Sequence, residues 1–276
     1  MSATAVSTDL SIDPSSTAHT RNPVMNLIRD TWLIYHRSLW LTIRQPTWIV
    51  FGMMLPLLYL FLFGPLLEGA TQAAGAGESA FNWFVPGLLI QIAIFGTAFA
   101  GFGLIAELRA GVVERMRVTP MSRAAMLLGR SLRDITILLL QAIILIILAL
   151  PFGLSVDAPG VIVMLGLLAL CGLMVAPFSY AAALVLKSED AFAPLVQGIA
   201  MPLLLLSGIL LPMALAPDWL QFLSSLSPFT HVVDAARAVF NGHWGDPEIR
   251  IGVAVTTILA VISVWVAART FSRANA

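Results

Sequence analysis

The side chains that could do chemistry are few, and their spacing does not suit it. The only Lys-Ser pair, Lys187-Ser188, follows Leu186 with no glycine-rich loop before it, so nothing cradles a phosphate in the manner of a P-loop. Gly101-Phe-Gly103-Leu-Ile-Ala106 spells part of a dinucleotide fingerprint, but it lies inside an apolar stretch with no strand ahead of it. His19, His36, His231 and His243 lack metal-ligand spacing, and neither Gly-x-Ser-x-Gly nor His-Glu-x-x-His occurs. Cys171, the one cysteine, sits mid-way along an apolar run and reads as a small packing residue. The expectation is a chain with no catalytic residue, metal or cofactor of its own. Energy for an active process then comes from elsewhere.

Two polar segments hold most of the remaining information. The first reads Glu107-Leu-Arg109-Ala-Gly111-Val-Val-Glu114-Arg115-Met-Arg117-Val-Thr119-Pro120-Met-Ser122-Arg123. Gly111 permits a turn away from the preceding helix, 112–117 can form a short charged helix, and Thr119-Pro120 suits the start of the next one. Such a knob between two long helices suits a partner that pushes on it; a basic loop that anchors topology and touches lipid phosphates has the same composition. The second segment runs Ser207-Gly208-Ile-Leu-Leu-Pro212, then Pro217-Asp-Trp219-Leu-Gln221, then Pro228-Phe-Thr230-His231-Val-Val-Asp234-Ala-Ala-Arg237. Its prolines break helices, and Asp234 and Arg237, at i,i+3, can pair as a structural clip or face a substrate.

The elements that position these segments are membrane helices. Hydrophobic residues make up 59% of the chain, charged residues 11%, and the mean hydropathy is +0.91, a balance belonging to a protein solvated by lipid. The zero net charge hides sharply segregated charges, and no nucleic-acid partner is expected. A helix needs about 20 apolar residues to cross the hydrocarbon core, and six stretches supply them: 47–67, 83–106, 135–156, 160–186, 191–213 and 251–268. With the N-terminus inside, thirteen of fifteen basic residues fall in cytosolic segments, and only Arg237 and Arg250 lie outside. The expected fold class is therefore an all-α integral membrane protein with six transmembrane helices and both termini cytoplasmic. Residues 1–23 read as a disordered tail, 24–44 as an N-terminal interfacial helix, and 45–276 as the six-span domain. In the interfacial helix Met25, Ile28, Trp32, Leu39 and Ile43 share one face while Asp30, Arg37 and Arg44 recur on another; a helix packed on a partner would look similar.

At this point the sequence resembles the ABC type-2 permeases, in particular the daunorubicin-resistance-like membrane subunits. Glu107, Gly111, Glu114, Arg115, Arg117, Thr119, Pro120, Ser122 and Arg123 match one family string. Ser207, Gly208, Pro212, Pro217, Trp219, Gln221, Pro228, Thr230, Asp234 and Arg237 match the other. His231 departs from the Tyr that many relatives carry. The resemblance covers about residues 24–270. It implies a bacterial inner-membrane exporter in which two permease copies, identical or sister chains, each dock a separate cytosolic ATPase that holds ATP and Mg. It implies a connecting helix at 24–44 and a coupling segment containing Glu107, Gly111, Glu114, Arg115, Arg117, Pro120 and Arg123. It further implies outer re-entrant helices between spans five and six, built around Pro212, Trp219, Pro228, Asp234 and Arg237.

The candidate substrate path is apolar. Phe95, Phe99 and Phe102 form an i, i+4, i+7 stripe, with Gln91 one turn before. Ordinary helix packing would use the same stripe. As a path lining it suits hydrophobic drugs, antibiotics or lipids rather than ions, which need intramembrane charges that the spans lack. Lipid or polysaccharide export by the same fold is the nearest alternative, and a membrane-embedded enzyme or assembly factor a more distant one.

Overall fold

The computed structural model describes residues 23–73, 79–112, 122–210 and 212–273. The expected tail, with Glu114, Arg115, Arg117, Thr119 and Pro120, lies outside the described residues apart from Pro23. Among the described residues every regular element is helical. Six stretches are long and apolar enough to cross a membrane: Ile49–Gly69, Ala80–Arg109, Ala124–Phe152, Ala158–Leu186, Glu189–Leu206 and Pro247–Phe271.

Helix α1 (Pro23–Ile43) leads into the first span, formed by α2 (Thr47–Leu58), a π-turn (Tyr59–Phe63) and α3 (Gly64–Ala73). The second span is α4 (Ala80–Ala98) followed by α5 (Gly101–Arg109). Helix α6 (Arg123–Ala149) is the third, with a closing 3-10 turn (Leu150–Phe152), α7 (Ala158–Leu186) the fourth and α8 (Glu189–Leu206) the fifth. Two shorter helices, α9 (Asp218–Leu226) and α10 (Pro228–Phe240), precede the sixth, α11 (Pro247–Arg273).

The second span is the centre of the bundle. Two-thirds of its most apolar window is buried, against 22% for the first and fifth spans. Leu88, Leu89, Ile90 and Ala93 of α4 pack with Leu138, Ala142 and Leu145 of α6, Leu168 and Cys171 of α7, and Val232, Ala236 and Val239 of α10. A second cluster occupies the other end of the bundle. There Ile34 of α1, Leu104 and Ile105 of α5, Tyr180 and Leu184 of α7, Phe192 of α8, and Ala267 and Phe271 of α11 meet. Lipid tails are as apolar as these side chains, so close packing rather than apolar burial holds the helices together. Gly129 illustrates this: a Cβ there would lie 2.8 Å from Thr31 O and Ile34 Cβ, so its absence lets α1 lie directly against α6.

Several expectations need correction. The third span does not begin at 135. Ser122 rather than the expected Thr119 caps α6, its hydroxyl accepting from the Ala125 N–H at 3.0 Å, and Arg130, Arg133 and Asp134 lie within the helix. Charge there is tolerated because it is paired, as shown below. The second span is not one helix, since α4 stops at Ala98 and restarts at Gly101. The fifth span ends at Leu206, short of 213, where Gly208 takes φ +70° and turns the chain. On α1 the charged stripe is not uniformly exposed, for Asp30 is buried while Met25, Ile28 and Trp32 point outward. The turn expected at Gly111 is present, with φ +66°.

Candidate coupling site

One end of the bundle concentrates the basic residues. Arg130 on α6, almost fully buried, pairs with Glu107 on α5. These two helices flank the segment 113–121, so the pair clasps the base of that segment shut. Arg109, at the tip of α5, reaches Glu189 at the start of α8 at 3.1 Å. This pair is exposed, worth at most about 1 kcal/mol, and ties the clasp to the fifth span.

One helical turn deeper, Arg133 joins three helices. Its Nη1 donates to Thr42 Oγ1 on α1 at 3.1 Å, and its Nη2 donates to the Tyr180 hydroxyl on α7 at 3.1 Å. Nη2 also lies 2.8 Å from Asp134 Oδ1, and the Tyr180 hydroxyl donates to Asp134 Oδ2. A second tie to α1 joins the Tyr35 hydroxyl and Thr136 Oγ1 at 3.2 Å. Buried ions are costly unless they are paired and hydrogen-bonded; here Arg133 is paired through both Nη atoms, while its Nε and the Arg130 Nη1 find no partner among the described residues. The effect is geometric. These bonds tie the N-terminal helix, α6 and the fourth span together, and the Glu107–Arg130 pair joins α5 to them at the end of α5 nearest segment 113–121.

The aromatic stripe is a physical ladder. Phe95 and Phe99 have ring centroids 6.2 Å apart, Phe99 and Phe102 stack at 5.8 Å, and Phe102 meets Phe192 of α8 edge-on at 4.9 Å. Phe99 sits at the break between α4 and α5, so the ladder bridges the joint. Gln91 is buried one turn before Phe95, and neither its Oε1 nor its Nε2 finds a hydrogen-bond partner among the described residues. Gly111 follows α5, while Arg123 is the first residue of α6.

At the opposite end Arg237 is the clip. It donates from Nη2 to Gly208 O at 2.7 Å and from Nε to Trp83 O at 3.3 Å, and stacks over the Trp83 ring at 4.0 Å. Asp234 lies 3.6 Å away. Burial pushes Arg237 down to about 10, only partly offset by Asp234, so it stays charged at neutral pH. Burial likewise raises the Asp234 carboxyl above its usual range, opposed by Arg237. The pair thus fastens α10 to the second span and to the turn after the fifth. Pro212 opens a 3-10 turn (Met213–Leu215), Pro228 occupies the first turn of α10, and Trp219 on α9 is exposed.

Comparison with known proteins fits this architecture. The sequence model of the ABC-2 type transporter matches residues 29–241, most of the chain. The chain belongs to the ABC-2 type transporter family. Among similar proteins is the "Daunorubicin resistance ABC transporter permease protein DrrB1" of Streptomyces coeruleorubidus, 24% identical over 84% of this chain and 82% of that one. Another is "Putative transport permease ycf38" of Cyanophora paradoxa, 28% identical over 72% of this chain and 69% of the relative. The ycf38 protein of Porphyra purpurea is 24% identical over 81% of this chain and 82% of its own length. This ABC-2 chain is a transport permease built of membrane helices, not an enzyme in itself.

Sequence reading missed how far the charged residues of this ABC-2 chain reach inward. It counted Arg130 and Arg133 as topology anchors and Asp134 as the edge of a span. Their spacing of three and four residues, which puts them on one side of a helix, was the available signal. Tyr180 stands out in the sequence only as a polar group at depth, and Thr42 and Phe192 give no signal, because only the packing of distant spans brings them to the site.

Proposed function

We propose that the chain is the membrane subunit of an exporter driven by ATP hydrolysis on a separate cytosolic ATPase, and that it works beside a second permease copy. The observation that carries this reading is the clasped base of segment 113–121. Glu107 and Arg130 lock together the two helices that flank it, and Arg133 extends that lock to α1 and α7. A push on the segment then moves helices rather than a slack loop. The segment 107–123, with Glu114, Arg115 and Arg117, meets the ATPase, which holds ATP and Mg. The basic end faces the cytosol, a placement the excess of Arg there supports, and α1 lies in that interface. Helices α9 and α10 re-enter the outer leaflet and close the path.

The cargo is a hydrophobic, drug-sized compound. The aromatic ladder from Phe95 to Phe102 and the orphaned amide of Gln91 give an apolar wall with one orienting polar group, the character of sites for such ligands. The drug-resistance name of one relative makes daunorubicin the first compound to try. The test is to co-express the permease with a candidate ABC ATPase, reconstitute the complex in vesicles and measure ATP hydrolysis across a panel of apolar drugs, lipids and glycans. Stimulation by a subset of apolar drugs, together with their uptake into inverted vesicles, supports the reading. Stimulation confined to lipids or glycans moves the cargo class, and no copurifying ATPase removes the coupling assignment.

A further inference from the structure

The second span stops and restarts within its own apolar stretch, and a side chain from another helix fills the gap. Across the break Ala100 N bonds Thr97 O at 3.2 Å and Phe102 N bonds Phe99 O at 3.1 Å, both one residue short of α-helical spacing. This tightening takes from the Gly101 N–H and the Ala98 C=O the partners that a continuous α-helix would give them. Both are taken by the hydroxyl of Ser179 on α7, which accepts from Gly101 N at 2.8 Å and donates to Ala98 O at 2.6 Å. A hydroxyl has the one donor and the lone pairs that this requires. Gly101 has to be glycine here, because a Cβ would lie 2.8 Å from Ser179 O and against the Phe192 ring. Where water is absent, unpaired backbone groups are expensive, so the bridge holds the joint together.

The two sides of this joint are unequal. Helix α4 is buried along most of its length in the first cluster, whereas α5 is a rod of nine residues, about 13 Å long, that packs in the second cluster and leads to segment 113–121. A displacement of that segment therefore reaches the break before it reaches α4.

We infer that Ser179 is a positioning residue for transport, the pin about which α5 turns against a fixed α4. That turn changes the angle between Phe99 and Phe102 across the joint and shifts Phe102 on Phe192. The inference rests on the proposal that 107–123 couples to an ATPase, and its test has an arm that does not need the ATPase. In a Cys171→Ser background, spin labels are placed at Gly103→Cys or Gly96→Cys, each paired with Gly166→Cys. All three glycines are exposed; an added Cβ meets nothing at 103 or 166, and only Gln141 Oε1 at 3.7 Å at 96.

In the permease alone, Ser179→Ala broadens the 103–166 distance distribution and leaves 96–166 narrow, and Ser179→Thr, which keeps the hydroxyl, restores the narrow distribution. A narrow 103–166 distribution in Ser179→Ala, or equal broadening of both pairs, overturns the pin. In the complete permease–ATPase complex, trapping with ATP and vanadate shifts 103–166 but not 96–166. Ser179→Ala lowers transport of daunorubicin roughly tenfold, the worth of a buried hydroxyl bridge, while ATP hydrolysis continues. Equal shifts in both pairs under trapping mean a rigid second span and also overturn the inference. A complex that never hydrolyses ATP overturns the coupling proposal instead, with the first arm still deciding Ser179.

Discussion

Arg133 shows what a single side chain can organise when it is buried among partners. It donates to Thr42 and Tyr180 and pairs with Asp134, and the Tyr180 hydroxyl closes the triangle. Tyr180→Phe keeps the ring and removes one donor and one acceptor. The expected cost is about 1 kcal/mol, the scale of interhelical hydrogen bonds in membranes. It should be visible as a lower melting temperature of the detergent-purified permease, and an unchanged melting temperature would contradict the triangle. Gln91 argues in the opposite direction. A buried amide with no partner is destabilising, so Gln91→Met, similar in volume and apolar, should raise the melting temperature. If Gln91 also orients cargo, the same variant is more stable yet changes which compounds stimulate ATP hydrolysis; an unaltered compound profile would place Gln91 outside the path.

Among the elements, the two segments flanking the central helices carry the functional predictions. Replacing Glu114, Arg115 and Arg117 together with alanine should abolish transport and weaken ATPase copurification while the permease still inserts. Full transport by that variant would reduce the segment to a topology anchor. Phe99→Ala should change selectivity while basal ATP hydrolysis persists, because Phe99 sits where the ladder crosses the joint. A loss of export uniform across compounds and tracking protein level would return the stripe to simple packing. Apolar runs twenty residues long announce themselves, which is why the six spans could be read from the sequence. Their ends could not. Arg130, Arg133 and Asp134 resemble a loop until Glu107, Thr42 and Tyr180 are known to neutralise them, and those partners are distant in sequence. The break at Phe99–Ala100 was hidden for a related reason, since a serine eighty residues later supplies the hydrogen bonds that a helix breaker would otherwise advertise. The Asp234–Arg237 pair was readable because both partners lie on one helical turn.

For the molecule as a whole, the distribution of charge supports one orientation, with the basic end in the cytosol. Arg109, Arg130, Arg133 and Lys187 cluster at one end, and Arg237 holds the other. Cysteine labelling from outside, in a Cys171→Ser background, should reach Ala76→Cys and Asp246→Cys but not Arg117→Cys or Asn275→Cys. Outside labelling at 117 would invert the topology and remove the coupling assignment with it.

The charge clasp also has a consequence for biogenesis. A ribosome delivers Thr42 and Glu107 before Arg133 and Arg130, so the counter-partners from the first two helical regions already wait when α6 arrives. Tyr180 emerges last and closes the triangle over Asp134. An early partner thus shields each arginine as it enters, and the fourth span seals the assembly. A nascent chain halted before Tyr180 is therefore left with a half-shielded carboxylate at the bilayer edge, the kind of exposed defect that membrane quality-control proteases act on.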